Sequence, residues 1–183
     1  MLPLGTKLPD FSLINTVNNQ YFSGKNLRQG RPILIMFICN HCPFVIHYHS
    51  EISLLAKEYG QKINFVAISA NDAQEYPEDA PEEMQKLANR LGWEFPYLYD
   101  ESQEVAKKFG AQCTPDFFLF DKENSLIYRG RLDDSTPGNN KEVTGKDLRN
   151  AFDDCLSNQQ IESEQFPSMG CNIKWRNYAN STF

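Results

Sequence analysis

The sequence has little of what would mark a specialised binder. No basic block interrupts its 183 residues, and 18 Lys+Arg are outnumbered by 24 Asp+Glu, for a net charge of −6. A surface of that sign repels phosphate backbones and anionic headgroups, so neither nucleic acid nor a membrane is expected as a partner. Long apolar runs are missing too. The longest, Ile33 to Cys39, has seven residues, where a spanning helix needs about 20. The first ten residues carry neither a basic nor an apolar leader segment, so the expectation is a cytoplasmic chain. Cysteine is scarce: five, an odd number, cannot staple a chain of this length as a disulfide scaffold.

What is present is an ordinary globular mixture, 40% hydrophobic and 23% charged, long enough to build its own core. Ile33–Ile38 is apolar without alternation, as in a strand buried on both faces. A helix is expected from about Cys42 to Tyr59, with Val45, Tyr48, Ile52, Leu55 and Tyr59 on one face and Gly60 as a left-handed stop. Ile63–Ser69 reads as a second interior strand. Asp79 and Glu82 are placed to box the start of a helix that ends at Gly92, with Pro81 in its first turn. Tyr97–Tyr99 is a short strand, followed by a helix capped by Asp100 and closed by Gly110. Asp116–Asp121 and Leu126–Arg131 flank a four-residue turn, a hairpin pattern. A last helix starts near Thr144. An N-terminal hairpin turns at Asn18-Asn19, and residues 158–183 read as a polar tail over a domain of residues 1–157. The order implies an α/β fold, a central mixed sheet with helices on both faces. Two long loops, Asn71–Ala80 and Asp133–Val143, are candidate rims of a site.

The chemistry centres on Cys39-Asn40-His41-Cys42, a C-x-x-C where the first buried strand hands over to a helix. Unpaired N–H groups and the positive dipole end of a helix start stabilise a thiolate there. Cys39, taken as the more exposed sulfur, is expected to attack, and Cys42 to resolve the mixed disulfide. Asn40 and His41 tune the couple, His41 by donating a hydrogen bond or charge to the Cys39 thiolate. Pro43 is tolerated in the first helical turn. Cys39, Cys42, His47 and His49 resemble a zinc set, but a continuous helix points the two histidines about 160° apart, so no metal site is expected. His49 reads as a satisfied core histidine, and His47 as solvated. Thr114-Pro115 opens a later strand, where a proline needs a reason; a cis bond there would leave the Thr114 backbone free for an incoming peptide. Cys113 and Cys171 are possible auxiliary thiols, and Cys155 sits on an apolar helix face. The acidic stretch Glu75, Glu78, Asp79, Glu82, Glu83 reads as a solvated helix start.

The segments "FICNHCPFV", "SANDAQEYPEDAPEEM", "CTPDFFLFD", "RGRLDD", "VTGKDLRNA" and "PSMGCNIKW" resemble those of the thioredoxin-like superfamily, closest to bacterial peroxiredoxin-like redoxins. The resemblance runs from "LPDFSL" to "GCNIKW". It implies a thioredoxin-like fold with an N-terminal β extension, a Cys39–Cys42 active-site disulfide, a cis-proline at Pro115 and no cofactor. The leading expectation is a thiol–disulfide oxidoreductase acting on protein or small-molecule disulfides with a separate electron donor. The alternative is a thiol peroxidase in which Cys42 attacks peroxide. Peroxiredoxins carry a Thr or Ser three residues before that cysteine and a Pro four residues earlier still; here Cys39 and Ile35 stand there, leaving Arg129 or Arg131 to supply positive charge. A third reading is a module whose two thiols hold a soft ion such as Cu(I).

Overall fold

The computed structural model describes residues 2–161 and 164–176; the parts of the expected tail at 162–163 and 177–183 lie outside the described residues. Among the described residues nine strands and four α-helices follow one another: β1 (Ser12–Asn15), β2 (Gln20–Ser23), β3 (Ile33–Phe37), α1 (Pro43–Tyr59), β4 (Asn64–Ser69), α2 (Pro81–Leu91), β5 (Tyr97–Tyr99), α3 (Glu104–Phe109), β6 (Cys113–Thr114), β7 (Asp116–Phe120), β8 (Leu126–Gly130), α4 (Lys146–Leu156) and β9 (Cys171–Asn172). Seven strands form one sheet in the order β2-β1-β5-β4-β3-β7-β8. β3 runs parallel to β4 and antiparallel to β7, which makes the sheet mixed.

All five residues of β3 are buried, as its unbroken apolar run requires, because the sheet is covered on both faces. One core packs Leu34 and Met36 against Val45, Tyr48, Ile52 and Leu55 of α1 and Leu148 and Phe152 of α4. The other packs Ile35 and Phe37 against Val105 and Phe109 of α3 and Phe118 and Phe120 of β7. Each such side chain contributes about 1.5–3 kcal/mol of burial. The strand is therefore gripped from both sides, and its C-terminal end delivers Cys39 to a fixed place.

Several local expectations are corrected. Gly60 has φ −62°, not a left-handed conformation; the glycine is needed because a Cβ there would meet the Ala56 carbonyl oxygen at 2.4 Å. The last helix begins at Lys146, after Gly145, because Asp133 Oδ2 accepts the N–H groups of Thr144 and Gly145 and holds them outside it. Asp79 does not cap α2. It closes a short 3-10 turn, Pro77–Asp79, and Ala80 precedes the helix. Nor is Asp79 part of a solvated face, since it is fully buried.

Residues 164–176 form a strap across one end of the sheet. Gln165 bonds Arg129 N and Ile127 O of β8, Arg131 N donates to Phe166 O, and Ser168 Oγ reaches Asp116 and Gly130 O. β9 then pairs antiparallel with β6, matching Thr114 with Cys171 and Cys113 with Asn172.

Candidate active site

Four elements converge at the C-terminal end of β3: the start of α1, the Asn71–Ala80 loop, the segment before β7, and the strap. Cys39 follows β3, and Cys42 is the N-cap of α1 with Pro43 behind it. The Thr114–Pro115 peptide bond is cis. Thr114 addresses both sulfurs: its hydroxyl lies 3.3 Å from Cys39 Sγ, and its carbonyl oxygen 3.1 Å from Cys42 Sγ.

The expectation that Cys39 is exposed is overturned. It is 1% exposed and Cys42 0%, because Thr114 and the strap close over them. Two surface clefts, one bordered by Leu126 and Cys155 and the other by Trp93 and Phe95, are not lined by these thiols. The Thr114 backbone is not free either; Cys171 already pairs with it.

His41 is also placed differently. Its Nδ1 lies 2.7 Å from Asp79 Oδ2, and its ring stacks on Tyr76 at 5.3 Å. A buried carboxylate is a better partner for an imidazole than a thiol with little charge of its own. Asp79 is the site residue that sequence reasoning missed. Its carboxylate also accepts from Asn40 N (2.7 Å), His41 N (3.3 Å) and Asn71 Nδ2 (2.7 Å), so one side chain fixes the backbone between the two cysteines. Asn40 donates to Glu78 O, and its own amide oxygen accepts from Tyr97 OH. The signal was an acidic residue in a long loop facing the C-x-x-C, and helix-start grammar gave it a nearer use.

The surroundings of the two thiols act in opposite directions. Cys42 is held below the usual thiol range by hydrogen bonding from Cys39, against a burial penalty, with further help from the Cys171 side chain and the N–H groups of Cys171 and Val45. Cys39 is pushed up by donating its S–H hydrogen bond to Cys42, by burial, and by the Asp79 carboxylate. The Thr114 carbonyl opposes ionisation of Cys42, since a thiol would donate to it. One acceptor is outweighed by two main-chain donors, the Cys39 thiol and a helix start.

The remaining candidates divide. Cys171 joins the pair, and its thiol is pushed up to about 11 by burial and by its interaction with Cys42. Cys113 lies beside them, pushed up to about 12 by burial, Asp116 and the neighbouring sulfurs. Cys155 packs at the edge of the first core, away from the site. His47 is not solvated but faces Ser135 Oγ at 3.2 Å, and Nε2 of His49 is buried without a partner instead of satisfied. Arg131 is paired with Asp147 and Arg129 donates to Leu2 O, so both guanidinium groups are engaged away from the thiols. Among the described residues, Cys39, His41 and Asp79 hold metal-ligand atoms within 4.8 Å of one another. The Asp79 oxygens are already saturated by four donors, and a protonated thiol is a poor ligand.

The chain is similar to a conserved protein of uncharacterised function from Geobacillus kaustophilus, with 48% identity over 96% of this chain and 94% of that one and a TM-score of 0.93. Two Mycobacterium tuberculosis structures share the fold at lower identity. One is a secreted disulfide oxidoreductase (17%, TM-score 0.59, 78% of this chain and 94% of that one). The other is peroxidoxin BcpB (20%, TM-score 0.58, 69% and 84%). No functionally curated protein matches. The Redoxin family model matches residues 3–148, and the chain therefore belongs to the redoxins, thioredoxin-fold proteins whose general business is thiol redox chemistry.

Proposed function

We propose that this redoxin is a thiol–disulfide oxidoreductase whose working couple is Cys39 and Cys42. The observation that carries the reading is the convergence of both sulfurs on Thr114, at 3.3 Å and 3.1 Å. The lowering of the Cys42 thiol by its donors favours Cys42 as the attacking sulfur, reversing the roles expected from exposure. The Cys42 thiolate attacks one sulfur of a substrate disulfide; a Cys42–substrate bond forms, and the other substrate sulfur leaves and takes a proton. Cys39 then loses its proton and attacks Cys42 Sγ. The Cys39–Cys42 bond closes, the second substrate thiolate departs, and two electrons have passed to the substrate. A cellular dithiol must return them, and a reducing compartment such as the cytoplasm suits that cycle. Donors around Cys42 stabilise the reduced form and so make the disulfide the better oxidant. Asn40, His41 and Pro43 hold the attack geometry, Thr114 and Pro115 sit against the two sulfurs, and the strap must open before a substrate disulfide reaches Cys42.

Peroxide reduction is the second reading, favoured by the ionised Cys42 and disfavoured by the engagement of Arg129 and Arg131 elsewhere. The test is turnover of insulin or a dithiol dye by purified protein. Cys42→Ser is expected to abolish it, and Cys39→Ser to slow it by removing the Cys39–Cys42 disulfide from the cycle. Turnover surviving Cys42→Ser, or oxidation that leaves Cys42 outside every disulfide, refutes the oxidoreductase. Sulfenic acid at Cys42 with sustained peroxide consumption establishes the rival.

A further inference from the structure

The edge of β6 beside the two sulfurs carries the chain's own strap, and the residue matched to Thr114 is a cysteine. The seat is built for that register. A Cβ on Gly170 would lie 2.0 Å from Thr114 O and 2.6 Å from its carbon, so only glycine lets the strap approach there. A Cβ on Gly130 would lie 2.2 Å from Phe166 O. Ser168 Oγ anchors the strap upstream, 2.8 Å from Asp116 Oδ1 and 2.6 Å from Gly130 O. Downstream, Ile173 is 3% exposed in the second core and its N–H donates to Gln112 O, while Lys174 N reaches Asn71 Oδ1. Position 171 is thus pinned on both sides, and both its side chain and its N–H lean on Cys42.

We propose that Cys171 is a third redox thiol, which attacks Cys42 Sγ and draws the active-site disulfide onto the strap. The inference rests on the oxidoreductase reading above. Cys171 loses its proton to solvent and its sulfur attacks Cys42 Sγ. The Cys42–Cys171 bond forms, and the bond from Cys42 to substrate or to Cys39 breaks, with the departing sulfur taking a proton. The number of disulfides is unchanged, so no further oxidant is needed. Cys171 is matched to Thr114, whose carbonyl oxygen lies 3.1 Å from Cys42 Sγ, so the strap holds a second thiol at the sulfur that Cys39 also serves.

Glutathione disulfide is the probe, applied to reduced full-length Cys39→Ser and to Cys39→Ser/Cys171→Ser. In the first, glutathione loaded on Cys42 is expected to be displaced and a Cys42–Cys171 crosslink to appear by peptide mapping. Displacement should run at least about ten-fold faster than in the double variant, since a tethered thiol acts at millimolar or higher effective concentration. Cys39→Ala, an apolar replacement in the same buried place, is expected to behave alike. Equal adduct lifetimes in single and double variants, with Cys171 still open to alkylation, overturn the proposal. Failure of the underlying reading is seen separately, as insulin reduction that survives Cys42→Ser.

Discussion

Two residues set the chemistry through their surroundings more than their type. In the proposed couple hydrogen bonds from the Cys39 thiol, Cys171 and the Val45 N–H lower the pKa of the Cys42 thiol, so its reaction with iodoacetamide should stay nearly flat from about pH 6 to pH 8. A free thiol, ionising near about 8.5, would speed up roughly ten-fold per pH unit over that range. A free-thiol profile at Cys42, measured by peptide mass spectrometry, would place the charge elsewhere. Asp116 is the second case. Burial pushes its carboxyl up to about 6 from 3.8, despite the Ser168 hydroxyl that bonds it. Its folded value lies above its unfolded value, so its contribution to stability is complete below 3.8 and is lost as pH rises through about 6. Between about pH 4 and pH 7, the wild type should therefore lose about 2–3 kcal/mol relative to Asp116→Asn. Parallel urea curves for the two proteins across that interval would refute the burial account.

At the scale of elements, local grammar carried most of the fold. The apolar run of β3, the 3.6-residue period of α1 and the hairpin of β7 and β8 were legible because each is a pattern within a few consecutive residues. The C-x-x-C was legible for the same reason. The strap was not: β9 is two residues long and exists only because β6 offers it a partner. Gly170 is the joint that admits it, since any side chain there strikes the Thr114 carbonyl. Gly170→Val is expected to unseat the strap, speeding alkylation of Cys171 about ten-fold and costing about 1–3 kcal/mol by overpacking. Unchanged alkylation and an unchanged thermal midpoint would mean that the strap is not held at this register.

For the whole molecule, the two cores and the strap should open separately. Among the described strap residues Ile173 alone is buried, while Phe166 and Met169 are 44% and 57% exposed. Strap amides should therefore exchange with solvent through a local opening that costs several kcal/mol less than global unfolding, with the β3 and β4 amides last. Exchange of strap and β3 amides at one common rate would make the strap part of the global unit, and the buried thiols would then be reachable only by unfolding. The α/β class, the succession of strands and helices along the chain and the place of the C-x-x-C were already determined by the sequence, because they rest on short-range periodicity and spacing. Tertiary structure alone decided that both sulfurs are buried against Thr114, that Asp79 and not a thiol holds His41, and that the strap brings Cys171 to Thr114. Each of these depends on groups dozens of residues apart meeting across a closed core, where burial and hydrogen bonding act on distance in space and are indifferent to distance along the chain.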